Sequence, residues 1–195
     1  HIGPLNADLP LKRISIAPDI KEETIEIKSG ASAVVAVESK GVLHLGITLS
    51  GADAAVDVRG SFVGNGEDRQ NISLVIRQSA PRTSARATFR TALYGSSSSL
   101  FDGLIVITPE AEESSAILSY RALLLSEHAR ARPIPRLEIH TKKVALCRHE
   151  ASVSNVRQSD LFYLQSRGMV KEEAQRLLVE GFLREAVVSS YIRYT

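Results

Sequence analysis

The sequence has very little of three residue types on which many protein sites depend. It contains one cysteine, no tryptophan and only 5% aromatic residues among 195 positions. A single cysteine cannot form an intramolecular disulfide, which excludes a disulfide-stapled secreted scaffold. The scarcity of aromatic rings argues against a large aromatic-walled ligand pocket and suits thin strands filled with small and β-branched side chains.

Two further absences narrow the class of protein. The 24 basic and 22 acidic residues nearly balance, so charge gives no case for a nucleic acid or an anionic membrane as partner. The chain has no apolar run of about 18 residues, and its N-terminus lacks the charged and apolar regions of a signal peptide. We therefore expect a cytoplasmic protein with neither a nucleic-acid nor a membrane partner.

Recognisable catalytic motifs are missing as well. Gly64-Asn65-Gly66 lacks the Lys-Ser/Thr that follows in a phosphate-binding loop, and there is no Gly-x-Ser-x-Gly elbow. No pair of carboxylates stands out as an acid–base couple. No residue can therefore be identified as catalytic from the sequence, and we expect that the protein is not an enzyme.

Short strand-like runs fill most of the chain. Residues 1–20 contain three prolines without a sustained period and are predicted to be an extended lead-in. From 21 to 156, apolar and polar residues alternate in short runs with glycine at many of the breaks. Examples are Thr24–Lys28, Val42–Leu49, Ile72–Ile76, Leu104–Ile107 and Val144–Cys147. No helical period interrupts them, which argues against a βαβ fold because its parallel strands need helical crossovers.

Three all-β architectures fit this pattern: a sandwich, a barrel and a β-helix. Consecutive short strands with small or polar residues at the bends favour a solenoid, in which each coil contacts only its neighbours. However, no strict repeat period is legible. The pattern alone therefore favours the β-helix and the sandwich equally.

A C-terminal helical segment is predicted over 157–195. Asp160 precedes one or two helical turns that end at Gly168, a typical C-terminal glycine. Glu172 and Glu173 then occupy the first turn of a second helix, where the helix dipole favours negative charge. Its apolar stripe recurs at helical spacing and consists of Ala174, Leu177, Leu178, Gly181 and Phe182.

The segment Cys147-Arg148-His149-Glu150 places a thiol, an imidazole and a carboxylate within four positions. Alternate residues of a strand share a face, so Cys147 and His149 are predicted to point one way and Glu150 the other. A thiolate and an imidazole on one face could provide two ligands for iron or zinc. Alternatively, the imidazole could activate the thiol as a nucleophile. A buried structural cysteine beside a surface histidine explains the residues without any chemistry, because two ligands do not complete a site.

Several spaced blocks lie between about residue 70 and the end of the chain. They are Ser79-Ala80-Pro81-Arg82-Thr83, Phe101-Asp102-Gly103-Leu104-Ile105-Val106, the Leu-Leu-Leu-Ser block within Ala122–Ala129, Pro135-Arg136-Leu137-Glu138-Ile139, Cys147-Arg148-His149-Glu150-Ala151 and Asp160–Gly168. In sequence and in order, these blocks resemble the SufB/SufD scaffold family of iron–sulfur cluster assembly.

The resemblance implies a right-handed parallel β-helix over 21–156, which resolves the choice of architecture. It also implies a non-enzymatic scaffold for a transient iron–sulfur cluster shared at a subunit interface, with Cys147, His149 and Glu150 as its metal-site residues. The implied partners are a SufB/SufD-type chain, as homodimer or heterodimer, and a SufC-like ABC-type ATPase. The partner-binding candidates, for which packing against the body is an equal explanation, are Phe162, Tyr163, Arg167, Leu177 and Phe182.

The chain departs from the family pattern in ways that leave a second interpretation open. Ala129 or a neighbour occupies the place of the SufB-type cluster-building cysteine, and one extra residue lies between Leu137 and Cys147. The Cys-x-His pair is SufD-like, whereas Glu150 after His149 is similar to the SufB type's His-Glu pair. The alternative is a structural or interaction paralogue without cluster chemistry. A β-helix enzyme acting on polysaccharide lacks support, because no stacked Asp, Arg or aromatic groove is legible.

Overall fold

The computed structural model describes residues 11–16, 21–38 and 41–187. The strands are β1 (Leu11–Ile16), β2 (Glu22–Ile27), β3 (Ser32–Val37), β4 (Gly41–Leu49), β5 (Ala55–Gly64), β6 (Arg69–Gln78), β7 (Ser84–Leu93), β8 (Ser98–Ile107), β9 (Ser114–Leu124), β10 (Arg130–Ile139) and β11 (Val144–Asn155). The helices are α1 (Gln158–Ser166) and α2 (Lys171–Val187). Residues 1–10 and 17–20 of the predicted lead-in, and 188–195 of the predicted helical segment, lie outside the described residues.

The strands wind into a parallel β-solenoid in which successive strands alternate between two sheets. The odd-numbered strands form sheet A, in the order β1-β3-β5-β7-β9-β11, and the even-numbered strands form sheet B, in the order β10-β8-β6-β4-β2. Neighbouring strands in both sheets are parallel. The predicted fold class, a parallel β-helix with a short C-terminal helical segment, is confirmed.

The length of a coil changes along the chain, which explains why no repeat is legible in the sequence. Register partners in sheet A are 23 residues apart from Ser32 to Ala55, 29 apart from Ala55 to Ser84 and 31 apart from Ser84 to Ser115. Strand β1 falls within the predicted lead-in and pairs with β3.

Alternate residues fill the space between the sheets and stack from coil to coil in columns. One fully buried column of sheet A consists of Val35, Val58, Ala87 and Leu118. Beside it, the ring of Phe101 lies 4.7 Å from that of Phe89 and 5.0 Å from that of Tyr120. The Tyr120 hydroxyl lies 2.9 Å from the Ser99 hydroxyl, to which it is hydrogen-bonded. The interior is therefore tightly filled, and its buried phenol has a polar partner.

The helices fold back over the outer face of sheet A. Gly168, with a φ of +92°, makes the turn between them in the left-handed region that favours glycine. Helix α2 packs on β5 and β7, and Ala174 and Val179 are buried. Neither described helix is long and apolar enough to cross a membrane.

Candidate functional site

The solenoid opens at its last coil. Within the described residues, β10 pairs with β8 alone and β11 with β9 alone, so each has one free edge. Ile139 is 42% exposed, although its register partner Ile107 one coil earlier is fully buried. Val153 is likewise 42% exposed above the buried Ala122. The inward-facing residues of β10 and β11 therefore form an uncovered, largely apolar surface at the open end of the solenoid. This surface is called the apolar floor.

Cys147 lies on this floor. It is in register with Ala116, a fully buried inward residue of β9, and its half-buried side chain packs against the core. Burial raises the pKa of the Cys147 thiol above its ordinary value, while a hydrogen bond with the backbone of Ala116 acts in the opposite direction. The thiol is therefore neutral at pH 7 and would have to lose its proton in order to bind a metal.

His149 occupies the next inward position. Its register partner Leu118 is fully buried, whereas His149 itself is exposed because no further coil lies over it in the described part of the chain. Two residues along a strand span about 6.6 Å between Cα atoms, a separation at which both side chains can reach one metal centre above the floor. Cys147 and His149 thus share a face, as the sequence alternation predicts.

Glu150 lies on the opposite, outer face of sheet A. Its carboxylate accepts hydrogen bonds from the Ser119 hydroxyl at 2.8 Å and from the Arg121 guanidinium at 3.1 Å. The hydrogen bond from Ser119, followed by the charge of Arg121, holds the pKa of Glu150 below its ordinary value despite some opposing desolvation. The carboxylate is therefore ionised and already engaged on the far side of the strand from Cys147.

A β-bulge precedes the site without changing this alternation. Val144 and Leu146 pair with the consecutive residues Ser114 and Ser115, so β11 carries one residue more than β9 at this point. A bulge reverses the facing of residues only across itself. Because it ends before Cys147, it does not turn Glu150 towards the inward face.

The open end carries two side chains of a kind that can bind a metal, Cys147 and His149. Within 11–16, 21–38 and 41–187, there is no group of three or more Cys, His, Asp and Glu side chains arranged to hold a metal. The thiol of Cys147 and the imidazole of His149 suit iron in a sulfur-rich centre.

Ala129, the neighbourhood in which the resemblance places the SufB-type cysteine, is inside the solenoid. Its side chain is fully buried and packs with Phe62 and Leu93. This chain therefore has a methyl group at a position closed to solvent, and Cys147 is the one thiol available in the sequence.

The two free edges of the last coil differ in their hydrogen-bonding groups. The Arg130 N–H donates to the Ser97 carbonyl at 3.1 Å, so even-numbered residues of β10 donate towards β8 and odd-numbered ones towards the free edge. Pro133 and Pro135 are odd-numbered and have no N–H to donate. Strand β11 contains no proline, so its free edge keeps every donor.

The partner candidates on the helices fall into two groups. Phe162 is 74% exposed and Leu177 is 47% exposed, and Tyr163 is also exposed. The guanidinium of Arg167 lies 5.5 Å from the centre of the Tyr163 ring. Phe182 instead faces the body, with the Arg90 guanidinium 5.7 Å from its ring centre.

Sequence reasoning missed the residues that hold Glu150. Ser119 and Arg121 stand 31 and 29 positions before Glu150 and reach it only through the pairing of β9 with β11. The one signal available was the alternation of β9, which places both residues on its outer face. Identifying them as partners of Glu150 required the register.

The fold is a parallel β-solenoid with a helical appendage, and Cys147 and His149 share the inward face of β11 at its open end. The sequence profile described as "SUF system FeS cluster assembly, SufBD core domain" matches residues 23–182. The chain therefore belongs to the SufBD core family of the SUF iron–sulfur cluster assembly system.

Its relatives include proteins from two bacterial groups. An iron–sulfur cluster assembly SufBD family protein of Mycobacterium leprae is 29% identical over 164 residues, which cover 74% of this chain and 42% of the relative. The iron–sulfur cluster assembly protein SufD of Bacillus subtilis is 36% identical over 131 residues, which cover 67% and 30%. A SufBD family protein of Mycobacterium tuberculosis is 28% identical over 152 residues, which cover 74% and 38%. The chain thus spans less than half the length of these relatives.

Proposed function

We propose that this chain is a non-enzymatic, SufD-like scaffold subunit for iron–sulfur cluster assembly, and that Cys147 and His149 hold the nascent cluster as cargo. The observation that carries the proposal is that both residues occupy inward positions at the open end of the solenoid. A thiolate is the usual protein ligand of such clusters, and an imidazole replaces it in some of them. Membership of the SufBD core family supports this choice of cargo.

A second SufB/SufD-type chain, in a homodimer or a heterodimer, completes the proposed site. Clusters of this kind use about four protein ligands, and the open end offers two. Covering the apolar floor would remove Ile139 and Val153 from water. Pairing along β11 would satisfy its unpaired backbone groups. The cluster is then transient and shared at the interface between the two solenoid ends.

Glu150 has an orienting role in this proposal. Serving as an oxygen ligand would require it to leave Ser119 and Arg121 and cross to the other face of β11. By holding those partners, it fixes the strand that carries His149. In the SufB-like His-Glu sequence of this chain, His149 is therefore the ligand and Glu150 is the residue that orients it.

The exposed surface of α1 and α2 is the proposed docking site of a SufC-like ABC-type ATPase. Phe162, Tyr163 and Leu177 expose apolar side chains there, and a clustered exposed apolar surface is typical of an interface. Arg167 adds a cation at its edge. Phe182 contributes from beneath, because its contact with Arg90 holds α2 on the body.

Anaerobic reconstitution with ferrous iron and sulfide tests the cluster site. We expect the wild-type chain, mixed with a SufB-type chain, to develop the visible absorption of an iron–sulfur cluster. Cys147→Ala should abolish most of this absorption, and His149→Ala should make the cluster more labile. His140→Ala, at an exposed histidine outside the site, is the matched control. Equal spectra for wild type and Cys147→Ala would show that Cys147 is not a ligand.

The second candidate is an interaction paralogue that docks the ATPase without cluster chemistry. It is favoured by the absence of a third metal donor near Cys147 in the described part of the chain. Co-purification of an ABC-type ATPase by a chain that binds neither iron nor sulfide would support it. Loss of co-purification in Leu177→Asp, with Val75→Asp on the outer face of sheet B as control, would locate the docking surface on the helices.

A further inference from the structure

The free edge of β11 presents the backbone groups of its inward residues. Ser115, an outward residue of β9, donates its N–H to the Thr83 carbonyl of the preceding coil at 2.9 Å. In parallel strands that are in register, the residues on one face all direct their backbone groups to the same side. The outward residues of β11 therefore bond to β9. Its inward residues, among them Cys147 and His149, direct their N–H and C=O groups to the free edge.

Residues of opposite charge flank His149 in β11, and both face outward. Arg148 is exposed, and the side chain of Glu150 is 41% exposed. Glu150 accepts the hydrogen bonds of Ser119 and Arg121 through one carboxylate oxygen, Oε1. In the described part of the chain its other oxygen, Oε2, accepts no hydrogen bond, and the charge of Arg148 acts on the carboxylate from a distance. The strand thus carries a donor and an acceptor that a second chain can reach.

Two identical strands that pair antiparallel about a two-fold axis have few registers to choose from, and charge distinguishes them. Inward residues must face inward residues, because a slip by one residue reverses every side chain. An axis at Arg148 or at Glu150 sets that residue opposite its own copy, and like charges opposite each other are destabilising. An axis at Cys147 or at Ala151 sets both charges opposite uncharged residues. Of these five positions, only an axis at His149 sets Arg148 opposite Glu150, and it does so twice.

We propose that the second chain at the open end is another copy of this one, and that Arg148 and Glu150 set its register with His149 on the two-fold axis. This rests on the proposed function of Cys147 and His149 as a shared site. Arg148 then faces Glu150 of the second copy in a non-hydrogen-bonded pair, in which the Cα atoms are about 4.5 Å apart and the side chains are close. Oε2 of Glu150 accepts from this guanidinium, while Oε1 keeps its own partners. The paired residues 146 to 152 all lie beyond the bulge of β11.

This register brings the metal-binding side chains of the two copies together. The two His149 residues form a hydrogen-bonded pair on the axis, with Cα atoms about 5.5 Å apart and both side chains on the inward face. Each Cys147 lies opposite Ala151 of the second copy, whose methyl group leaves room beside the thiol. The second copy's His149 is the diagonal neighbour of Cys147, about 7–8 Å away. The dimer therefore offers two thiols and two imidazoles at one place, where a single chain offers one of each.

Charge reversal in the full chain, without metal, tests the identity of the partner. Arg148→Glu sets a carboxylate opposite Glu150 in both pairs, so we expect the dissociation constant from sedimentation equilibrium to rise roughly tenfold or more. Glu150→Arg should have the same effect. A mixture of the two variants should pair as tightly as wild type, because every charge then faces its opposite, and a loss of packing within one chain would not be restored in this way. Arg69→Glu, at an exposed arginine of sheet B, is the control. A monomeric wild type, or a mixture no tighter than its components, would overturn the proposal.

Disulfide crosslinking tests the register and does not depend on whether Glu150→Arg folds. In a Cys147→Ala background, oxidation with copper phenanthroline should link two copies of His149→Cys, whose Cα separation of about 5.5 Å suits a disulfide. Ala151→Cys in the same background should stay unlinked, because its two copies are four residues out of register, about 13 Å along the strands. Crosslinking of Ala151→Cys but not of His149→Cys would overturn the register. Neither test uses iron, so a failure here leaves the cluster-site proposal standing, and a chain that pairs as expected but binds no cluster refutes that proposal alone.

Discussion

Cys147 stands one coil beyond Ala116 in the same inward column, and Ala116 is fully buried where Cys147 is half-exposed. The difference arises because no further coil lies over β11 in the described part of the chain. A side chain that would fill the core in mid-solenoid is here a thiol within reach of solvent. Its partial burial and its accessibility together determine how it reacts.

The alkylation of Cys147 by iodoacetamide should depend on pH in a way that reveals this burial. Because the pKa of the folded thiol is raised, we expect slow reaction at pH 7 and an increase of about tenfold per pH unit that continues beyond pH 9. For the same chain in denaturant, the curve of alkylation rate against pH should have its inflection near pH 9.0. The chain has one cysteine, so total thiol loss measures this site alone. An inflection in the folded chain at or below that of the denatured chain would contradict the prediction.

Removal of the Glu150 charge should destabilise the protein at neutral pH and should have a smaller effect in acid. Its folded pKa is lowered from 4.5, so its stabilisation is present above 4.5 and is lost as pH falls through the folded value. For Glu150→Gln we expect a loss below about 1 kcal/mol at pH 7, because both partners are substantially exposed. Urea unfolding at pH 7 and at pH 3 measures it. Glu67→Gln, at an exposed turn, is the control, and an equal loss at both pH values would disprove the assignment.

Introduction of a charge at the open end should disrupt pairing of two solenoids. Val153 on β11 is 42% exposed and Val75 on the outer face of sheet B is 40% exposed, which makes Val75→Lys a matched control for Val153→Lys. We expect light scattering after size-exclusion chromatography to find dimers for wild type and the control, but monomers for Val153→Lys, since a buried lysine would lack a partner. A dimer that survives Val153→Lys and dissociates with Val75→Lys would place the interface on sheet B.

Two glycines should respond in opposite directions to alanine. A Cβ atom at Gly60 would lie 2.4 Å from the Phe89 ring, whereas one at Gly181 in α2 would meet nothing within 4 Å. We expect Gly60→Ala to lower the free energy of unfolding by about 1–3 kcal/mol through overpacking. Gly181→Ala should raise it by about 0.5–1 kcal/mol through helix propensity. Thermal or urea unfolding distinguishes these outcomes. An unchanged free energy of unfolding for Gly60→Ala would show that the aromatic stack rearranges at little cost.

Local alternation predicted the facing of Cys147, His149 and Glu150 because a strand needs only its own sequence to set the direction of its side chains. The existence of both helices likewise followed from Gly168 and from the apolar spacing of α2. Their details differ from the prediction, because α1 begins at Gln158 without a side-chain cap and Leu177 of the apolar stripe is exposed. The choice of a solenoid depended on the family resemblance, because coils of unequal length conceal the repeat.

Partners that lie a coil apart were beyond the reach of the sequence. The pairing of Glu150 with Arg121 depends on a register that includes a bulge, and no local pattern specifies it. The contact between Phe182 and Arg90 depends on the position at which α2 packs on sheet A. Its apolar stripe shows that the helix packs, without showing what it packs upon.

Pro133 and Pro135 limit how far an assembly of such chains can grow. A solenoid end with two fully bonding edges could add strands on either side, as fibres do. Here one edge accepts a strand and the other lacks two of its donors. In the proposed dimer, two chains would meet through β11 about a two-fold axis and would use up each other's capacity to pair. Such an assembly would close at two subunits, and its apolar residues and bare strand edges would not be left to start a polymer.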